Sequence, residues 1–395
     1  MVSMLRGLLG KWRERRDFTQ HSRVLIAPPP AAGVSVTSNN IDTLAAVERA
    51  ITLISSDVAR LPWDVVTRQP DGSLLNQTGP TEQLLNTWPS QALHSFAWRR
   101  HVVRTALVYG NCVCHVQRSG RGDILQLVPL NPDIVELASD DRGEPVYVIN
   151  GSTRLAPAEV LHFRMPGGPT GLWGVGLLNA GRESLPLLKV QGETNAAIAG
   201  QGVAPRCVIK HPGKLSEELA EMVKDKFESA FRRRNAGGTV LMMDGMSVDP
   251  LEIKMGASDL VEGLNYSIAE VSRLTGVPVS MLAEHSHSTF SNVQEMNRSY
   301  HDTCLVHWLA MMSAEIKAKI LPTTREIRWD VRELTKGTLQ DQVNAMNTAV
   351  SAGIMTRNEA RRSLGMNPIE GGDTIVLMPG MSQQDDEDID DGFDA

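Results

Sequence analysis

Apolar residues recur at helical spacing from Val293 through Met296, Tyr300, Cys304, Trp308, Met311 and Met312 to about Ile320, and this run constrains the chain more than any other feature. Steps of three and four put one face of a helix against protein. At 1.5 Å per residue, roughly 29 residues make an element of about 43 Å. Ser291 followed by Gln294 reads as a capping box, so the spacing predicts a helix over 291–320. The stretch that leads into it, MLAEHSHSTFSNVQEMNRSYH (281–301), holds three histidines, four serines and a threonine. The predicted boundary divides the histidines: His285 and His287 precede the helix, whereas His301 and His307 lie within it.

The remainder reads as α+β. Residues 1–40 form a Pro-, Gly- and Ser-rich arm without period. A helix follows from about Asp42 to Ala59, marked by Leu44, Val47, Ile51, Ile54 and Val58 and ended by Pro62. PWDVVTR is a strand, SFAWRRHVVRTALVYG a helix that stops at Gly110, and NCVCHVQR, ILQLVPL, PVYVINGS and VLHFR are strands. Residues 179–202 read as a helix rich in small residues. A β-α-β-β unit comes next: RCVIK, an amphipathic helix with Ser216 as N-cap, then TVLMM and MSVDPLEI around Asp244-Gly245, a two-residue hairpin signal. A helix from about Asp259 to Thr275 has Asp259 and Glu262 as its N-terminal chemistry and Gly276 and Pro278 as its stop. REIRWDVREL is a returning strand after Pro322. TLQDQVNAMNTAVSAG and RNEARRSLG are helices, the second opened by a Thr356/Glu359 capping box. The acidic end is expected to be disordered.

Several chemistries could use the polar stretch. His285-x-His287 with His301 offers three imidazoles to a metal, yet no acid at ligand spacing completes the set, although Glu284 and Glu295 are near. A solvated polar loop is the simpler reading, and a metal-dependent hydrolase is its rival. SHSTFS sets serines beside histidines, but no G-x-S-x-G elbow is present. GLWGVGLLNAG places Gly171, Gly174, Gly176 and Gly181 between a strand and a helix with neither dinucleotide nor Walker spacing, so a turn needing positive φ is expected there. No ATP-driven step belongs to this chain, and any motor is another chain. Arg232, Arg233 and Arg234 end a helix, where cations suit its dipole, and Arg357, Arg361 and Arg362 line a short one. Two long helices joined by a polar loop, with a small β-rich unit inserted before them, make interaction architecture rather than an active site.

Charge and cysteine narrow the class. The chain's formal net charge is -7, and the tail DDEDIDDGFDA (385–395) accounts for all of it: without its seven acids, 39 acidic residues face 39 Lys and Arg. No basic domain of the kind a repressor carries is present. The four cysteines, Cys112, Cys114, Cys207 and Cys304, show no CxxC spacing, and reduced thiols are expected. No secretory signal is evident at the start, and no apolar run approaches the roughly 20 residues that span a bilayer.

Five segments in this order resemble one family. They are AVERAITLISSDVARLPWDVV, the pair LVYGNCVCHVQR and LVPLNPDIVEL, APRCVIKHPGKLSEE, LTGVPVSMLAEHSHSTFSNVQEMNRSY, and GIMTRNEARRSLGMNPIEGGD. Together with the Trp173-Gly174 pair they resemble the portal proteins of long-tailed double-stranded DNA bacteriophages over roughly 41–380. The resemblance implies a portal fold assembled as a ring, typically of twelve subunits, at one capsid vertex of the virion, made in the host bacterial cytoplasm. Residues 41–178 and 321–337 would be the wing, 179–202 and 257–281 the stem helices, and 203–256 the clip. Residues 282–290 would be the tunnel loop, 291–320 the tunnel helix and 338–380 the crown, with 1–40 a flexible arm and 381–395 an acidic tail. Its implied partners are itself, double-stranded DNA without regard to sequence, the large terminase subunit, a head-tail adaptor and the major capsid protein. No membrane and no cofactor are implied. The tunnel loop would present His285, Ser286, His287, Ser288, Thr289 and Phe290 to DNA, and the helix Asn292, Gln294, Glu295 and Arg298. Asp244, Gly245 and Arg232 to Arg234 would make clip contacts with subunits or motor. A gene transfer agent would use the same part in the same way.

Overall fold

The structure is a computed structural model. It describes residues 33–168, 170–201, 206–210, 218, 221–223, 225, 247–251, 257–282, 290–329, 331 and 339–375. Its contacts group into two units, 1–289 with 298–330 and 290–297 with 331–395.

In the first unit, a 3-10 turn at Ile41–Thr43 leads into α1 (Ala45–Arg60), which buries Val47, Ile51, Ile54 and Val58 on the stripe their spacing predicts. β1 (Trp63–Arg68), β2 (Leu74–Asn76), α2 (Pro80–Asn86) and α3 (Ser95–Tyr109) follow. α3 packs on α1 and stops at Gly110, whose φ of +87° lets its N–H close onto the Ala106 carbonyl. β3 (Asn111–Arg118), β4 (Ile124–Pro129), β5 (Val135–Ser139), β6 (Pro145–Ile149), β7 (Thr153–Leu155) and β8 (Val160–Arg164) then build two antiparallel sheets, ordered β4-β3-β8 and β5-β6-β7. Val113, Val135, Leu137, Tyr147, Leu155 and Val160 form one core cluster between them.

Next are α4 (Leu177–Ala180), α5 (Ser184–Gln201), the antiparallel pair β9 (Arg206–Lys210) and β10 (Ser247–Leu251), α6 (Ala257–Thr275) and α7 (Val279–Leu282). The long helix runs as α8 (Phe290–Tyr300), a π-helical turn at His301–Leu305, and α9 (Val306–Lys319). β11 (Arg325–Trp329) returns to pair with β1, Trp63 opposite Trp329, in a sheet ordered β11-β1-β2. In the second unit, α10 (Leu339–Ser351) and α11 (Arg357–Ser363) are the helices among the described residues beyond 331.

The centre of the first unit is Trp63, fully buried at the start of β1. Its ring meets Trp329 edge-on at 4.9 Å and Trp98 at 6.3 Å, and the Arg99 guanidinium lies 4.5 Å over it. Arg99 is itself buried. It donates to the Leu61 and Leu85 carbonyls (2.7 and 3.0 Å) and to Asn86 Oδ1 (2.5 Å), with Ala59 O at 3.4 Å. These carbonyls lie at the ends of α1 and α2, where helices leave acceptors without intrahelical partners.

Several boundaries differ from expectation. α8 starts at Phe290, so Ser291 sits inside the first turn rather than at the cap. α6 starts at Ala257, which likewise takes Asp259 inside the helix. The helix expected over 179–202 begins at Leu177 and breaks at Gly181 before resuming at Ser184. The long helix is not uniformly α: the π turn adds a residue to one turn, and Tyr300, Cys304 and Leu305 are buried there. The glycine run is explained by two different causes. Gly171 does have a positive φ of +67°, whereas Gly176 and Gly181 have φ of -91° and -92° and Gly174 is not in the left-handed region. Gly174 and Gly176 are there because backbone passes backbone: a Cβ on Gly176 would stand 2.1 Å from Gly110 N, and one on Gly174 2.3 Å from Gly110 O.

Candidate functional site

The long helix is the candidate site, and the sequence explains how it is held. α9 buries Trp308, Leu309, Met312 and Ile316 along one stripe. Polar groups beside that stripe finish the sheets below. β8 is the edge of its sheet, and an edge strand carries unpaired N–H and C=O groups. Glu315 accepts the His162 N–H at 2.7 Å, and Lys319 donates to the Val160 carbonyl at 2.9 Å while pairing with Glu315. The helix thus supplies the acceptor and donor that a further strand would have supplied. Arg118 donates to the Lys319 carbonyl at 3.0 Å, and Trp329 Nε1 donates to Ser313 Oγ.

A buried polar chain stands behind this grip. Asn111 Oδ1 accepts the Gly174 N–H (2.7 Å) and lies 3.0 Å from His162 Nε2. An amide oxygen only accepts, so Nε2 is the protonated nitrogen. Nδ1 therefore accepts from the Tyr147 hydroxyl at 2.9 Å. Asn111 Nδ2 donates to the Gly174 carbonyl at 2.9 Å. Burial, then the nearby charges of Arg164 and Lys319, pulls the His162 pKa down to about 3, so the ring is neutral at physiological pH. Burial pushes the Tyr147 phenol up to about 12. The chain ties the β4-β3-β8 and β5-β6-β7 sheets and the glycine run together beside α9.

At the π turn, burial raises the Asp57 carboxyl against the lowering effect of Arg60, 3.3 Å away. Burial and the Asp57 charge together push the Cys304 thiol up to about 12. Cys304 Sγ lies 3.5 Å from the Thr275 carbonyl at the end of α6. A thiol held protonated in this way is inert as a nucleophile. Cys112, Cys114 and Cys304 are buried and free.

Of the residues singled out in the sequence, Glu295 and Arg298 are exposed on α8, and Arg298 reaches Asp302 at 3.8 Å. His301 Nδ1 lies 2.8 Å from Asp302 Oδ1. Phe290, Asn292 and Gln294 belong to the first turns of α8, with side chains outside the described set. His285, Ser286, His287, Ser288 and Thr289 lie outside the described residues, as do Arg232, Arg233, Arg234, Asp244 and Gly245. Among the described residues no cluster of three metal-ligating side chains is present, and no helix is long and apolar enough to cross a membrane. Arg361 and Arg362 have work inside their own unit: Arg361 Nε donates to Asn367 O at 2.7 Å, and Arg362 pairs with Asp373 at 3.2 Å. The sequence reading missed the grip of Glu315 and Lys319. Its only local trace is an i,i+4 acid–base pair, which any exposed helix can carry.

Comparison with known proteins places this arrangement. A family model described as phage portal protein matches residues 45–365. The portal protein of Enterobacteria phage HK97 is 23% identical over 359 residues, which cover 87% of this chain and 83% of that one. The crystal structure of an HK97 family phage portal protein from Corynebacterium diphtheriae superposes with a TM-score of 0.58 at 20% identity, over 75% of this chain and 96% of that one. A chain from the neck of a native gene transfer agent particle, computed with C12 symmetry, superposes with a TM-score of 0.54 at 18% identity, over 89% of this chain and 99% of that one.

Proposed function

The chain belongs to the phage portal protein family, and from that premise we propose that it forms a ring of twelve copies at one capsid vertex, the channel through which double-stranded DNA enters and leaves. The match over 45–365 carries this reading, because it spans the long helix and the sheets that hold it. Family proteins are structural, and the work of packaging comes from a separate large terminase subunit. A head-tail adaptor and the major capsid protein complete the neighbours, in a virion assembled in the host cytoplasm. Residues 41–178 and 321–337 serve as wing, 179–202 and 257–281 as stem, 203–256 as clip and 338–380 as crown. Return of β11 to pair with β1 supports joining the two wing segments.

In this ring 282–290 is the tunnel loop and the long helix lines its approach. Helix residues 290–319 carry three acids (Glu295, Asp302, Glu315) and three bases (Arg298, Lys317, Lys319), so their formal charge cancels. Each phosphate neutralised by Lys or Arg adds counterion-release affinity, and such contacts repeated around a ring would brake sliding DNA. The serines, threonine and neutral histidines of the loop make weak, exchangeable contacts instead. Likeness to the gene transfer agent chain supports a second reading with the same physics, a portal of such a particle.

Native mass measurement tests the ring: a closed particle near twelve times 43.2 kDa supports it, and a persistent monomer carrying stoichiometric zinc would transfer the function to a hydrolase built on the histidine loop. The double variant His285→Ala/His287→Ala tests the loop. It is expected to assemble normally and to alter DNA packaging or retention mildly, and loss of assembly would make the loop structural.

A further inference from the structure

A groove of about 500 Å³ opens on the first unit beside residues 38–42. Buried Ile41 and Val108 lie beneath it, and half-buried Tyr109, Pro129, Leu130 and Pro132 line it. Its size and apolar lining are those of a binding pocket. Arg104 reaches its edge, but Asp42 and Glu48 already pair with that guanidinium, so the groove favours an uncharged occupant.

The chain itself supplies one. Residues 24–32, VLIAPPPAA, are nine in a row without a charge or a polar side chain. Prolines carry no N–H, so a groove can cover them without supplying acceptors. Proline-rich segments are extended before they bind and dock in grooves lined by aromatic rings, the part Tyr109 plays here. Connection and direction agree with this occupant. The chain bends at Gly33, whose φ is +69°. From there Val34, Val36 and Ser38 are half-buried while Ser35 and Thr37 are exposed, the alternation of an extended segment lying with one side on the surface. Ser38 also lines the groove. A chain that doubles back at Gly33 sets residues equidistant from it side by side, Pro30 by Val36 and Pro28 by Ser38.

We propose that residues 24–32 fold back at Gly33 and seat Pro28, Pro29 and Pro30 in the groove of their own chain. The seated segment fixes where residues 1–23 leave the unit, a lead with six Lys and Arg against two acids.

Tyrosine nitration in the full chain tests the cover. Tyr109 lines the groove, and Tyr266, 56% exposed, is the internal standard. In Pro28→Asp/Pro30→Asp the charged segment leaves the groove, and Tyr109 is expected to react at least tenfold faster relative to Tyr266 than in the wild type. Equal relative rates would overturn the proposal. Disulfide trapping tests the occupant. Isotope-labelled and unlabelled Pro28→Cys/Asn131→Cys chains are mixed and oxidised, and the bonds are mapped by mass spectrometry. Bonds between 28 and 131 of one chain are expected. Bonds from 28 of one chain to 131 of another would overturn the proposal in favour of a neighbouring copy's arm, and absence of any 28–131 bond would overturn it outright.

Discussion

The α/β unit around Trp63 and the small unit after residue 331 are held by opposite means. The first buries Trp63, Trp98 and Phe163 completely and gives the Arg99 guanidinium carbonyl and amide acceptors inside, although Arg99 Nε and Trp63 Nε1 find no hydrogen-bond partner among the described residues. Arg99 enters the core with no ion pair among the described residues, and its guanidinium reaches the Leu61 and Leu85 carbonyls and Asn86. The second buries Asn358 and Ala360, and hydrogen bonds rather than apolar contacts fix its loop. The difference teaches that burial fixes the first unit, whereas among the described residues of the second a hydrogen-bonded loop around Asn358 fixes the local shape. The same kind of substitution should therefore cost much more in the first than in the second.

The largest expected effect is at Arg99. Burial pulls its pKa down to about 10, which leaves it charged at neutral pH. Arg99→Met keeps an unbranched stem under Trp63 but strands buried carbonyls, each costing about 1–3 kcal/mol. A total loss of about 3–5 kcal/mol is expected from denaturant unfolding. A loss under about 1 kcal/mol would show that water reaches those carbonyls and that this unit is looser than described.

His162 is next. Its pKa is near 3 in the fold and near 6.5 when unfolded, so the unfolded chain binds the extra proton between those values. Stability from this residue is therefore complete above about pH 6.5 and falls as pH drops, by about 1.4 kcal/mol per unit and about 3 kcal/mol by pH 4. His162→Gln, which keeps a donor and an acceptor, should flatten the stability profile between pH 6 and 4. A slope equal to the wild type's would place the acid sensitivity in other groups.

Legibility in the sequence followed the range of the interaction. The α1 stripe, the stop at Gly110 and the Thr356–Glu359 cap are written within a few residues of where they act, and each is present. The π turn was illegible because one extra residue in a turn barely disturbs a stripe that runs from Tyr300 to Cys304 to Trp308. Gly174 and Gly176 looked like turn glycines, since nothing near them in sequence reveals that residue 110 passes against them. For the candidate site, the polar loop and long helix were legible as composition and period. The grip of Glu315 on β8 joins residues 153 apart, and local pattern carries no trace of such a pair.

In the second unit, Asn358 is the hub. Its Oδ1 accepts the Ile369 N–H at 2.8 Å, and its Nδ2 donates to Ile369 O and Asp373 Oδ2, both at 3.0 Å. Gly372 packs so closely on its amide that a Cβ there would lie 2.4 Å from Asn358 Oδ1. Asn358→Ala should cost about 1–2 kcal/mol locally. Faster proteolysis after residue 364, with the first unit's melting unchanged, is the expected result. A matching drop in that melting would merge the two units into one cooperative body.

The smallest effect isolates a single cap. Thr356 Oγ1 accepts the Glu359 N–H at 3.2 Å, and Glu359 Oε2 accepts the Thr356 N–H at 2.8 Å. The two bonds satisfy donors that open the seven-residue helix α11, too short to hold itself. Thr356→Ala removes one bond directly and should cost about 1 kcal/mol, whereas Thr356→Ser should restore most of it. The readout is amide exchange at 357–364: about fivefold faster in the alanine variant, near wild type in the serine variant. If the alanine variant leaves exchange unchanged in the assembled ring but speeds it in the monomer, neighbouring copies are holding α11 in place. Local hydrogen bonds would then set the conformation of the unit and assembly would hold it.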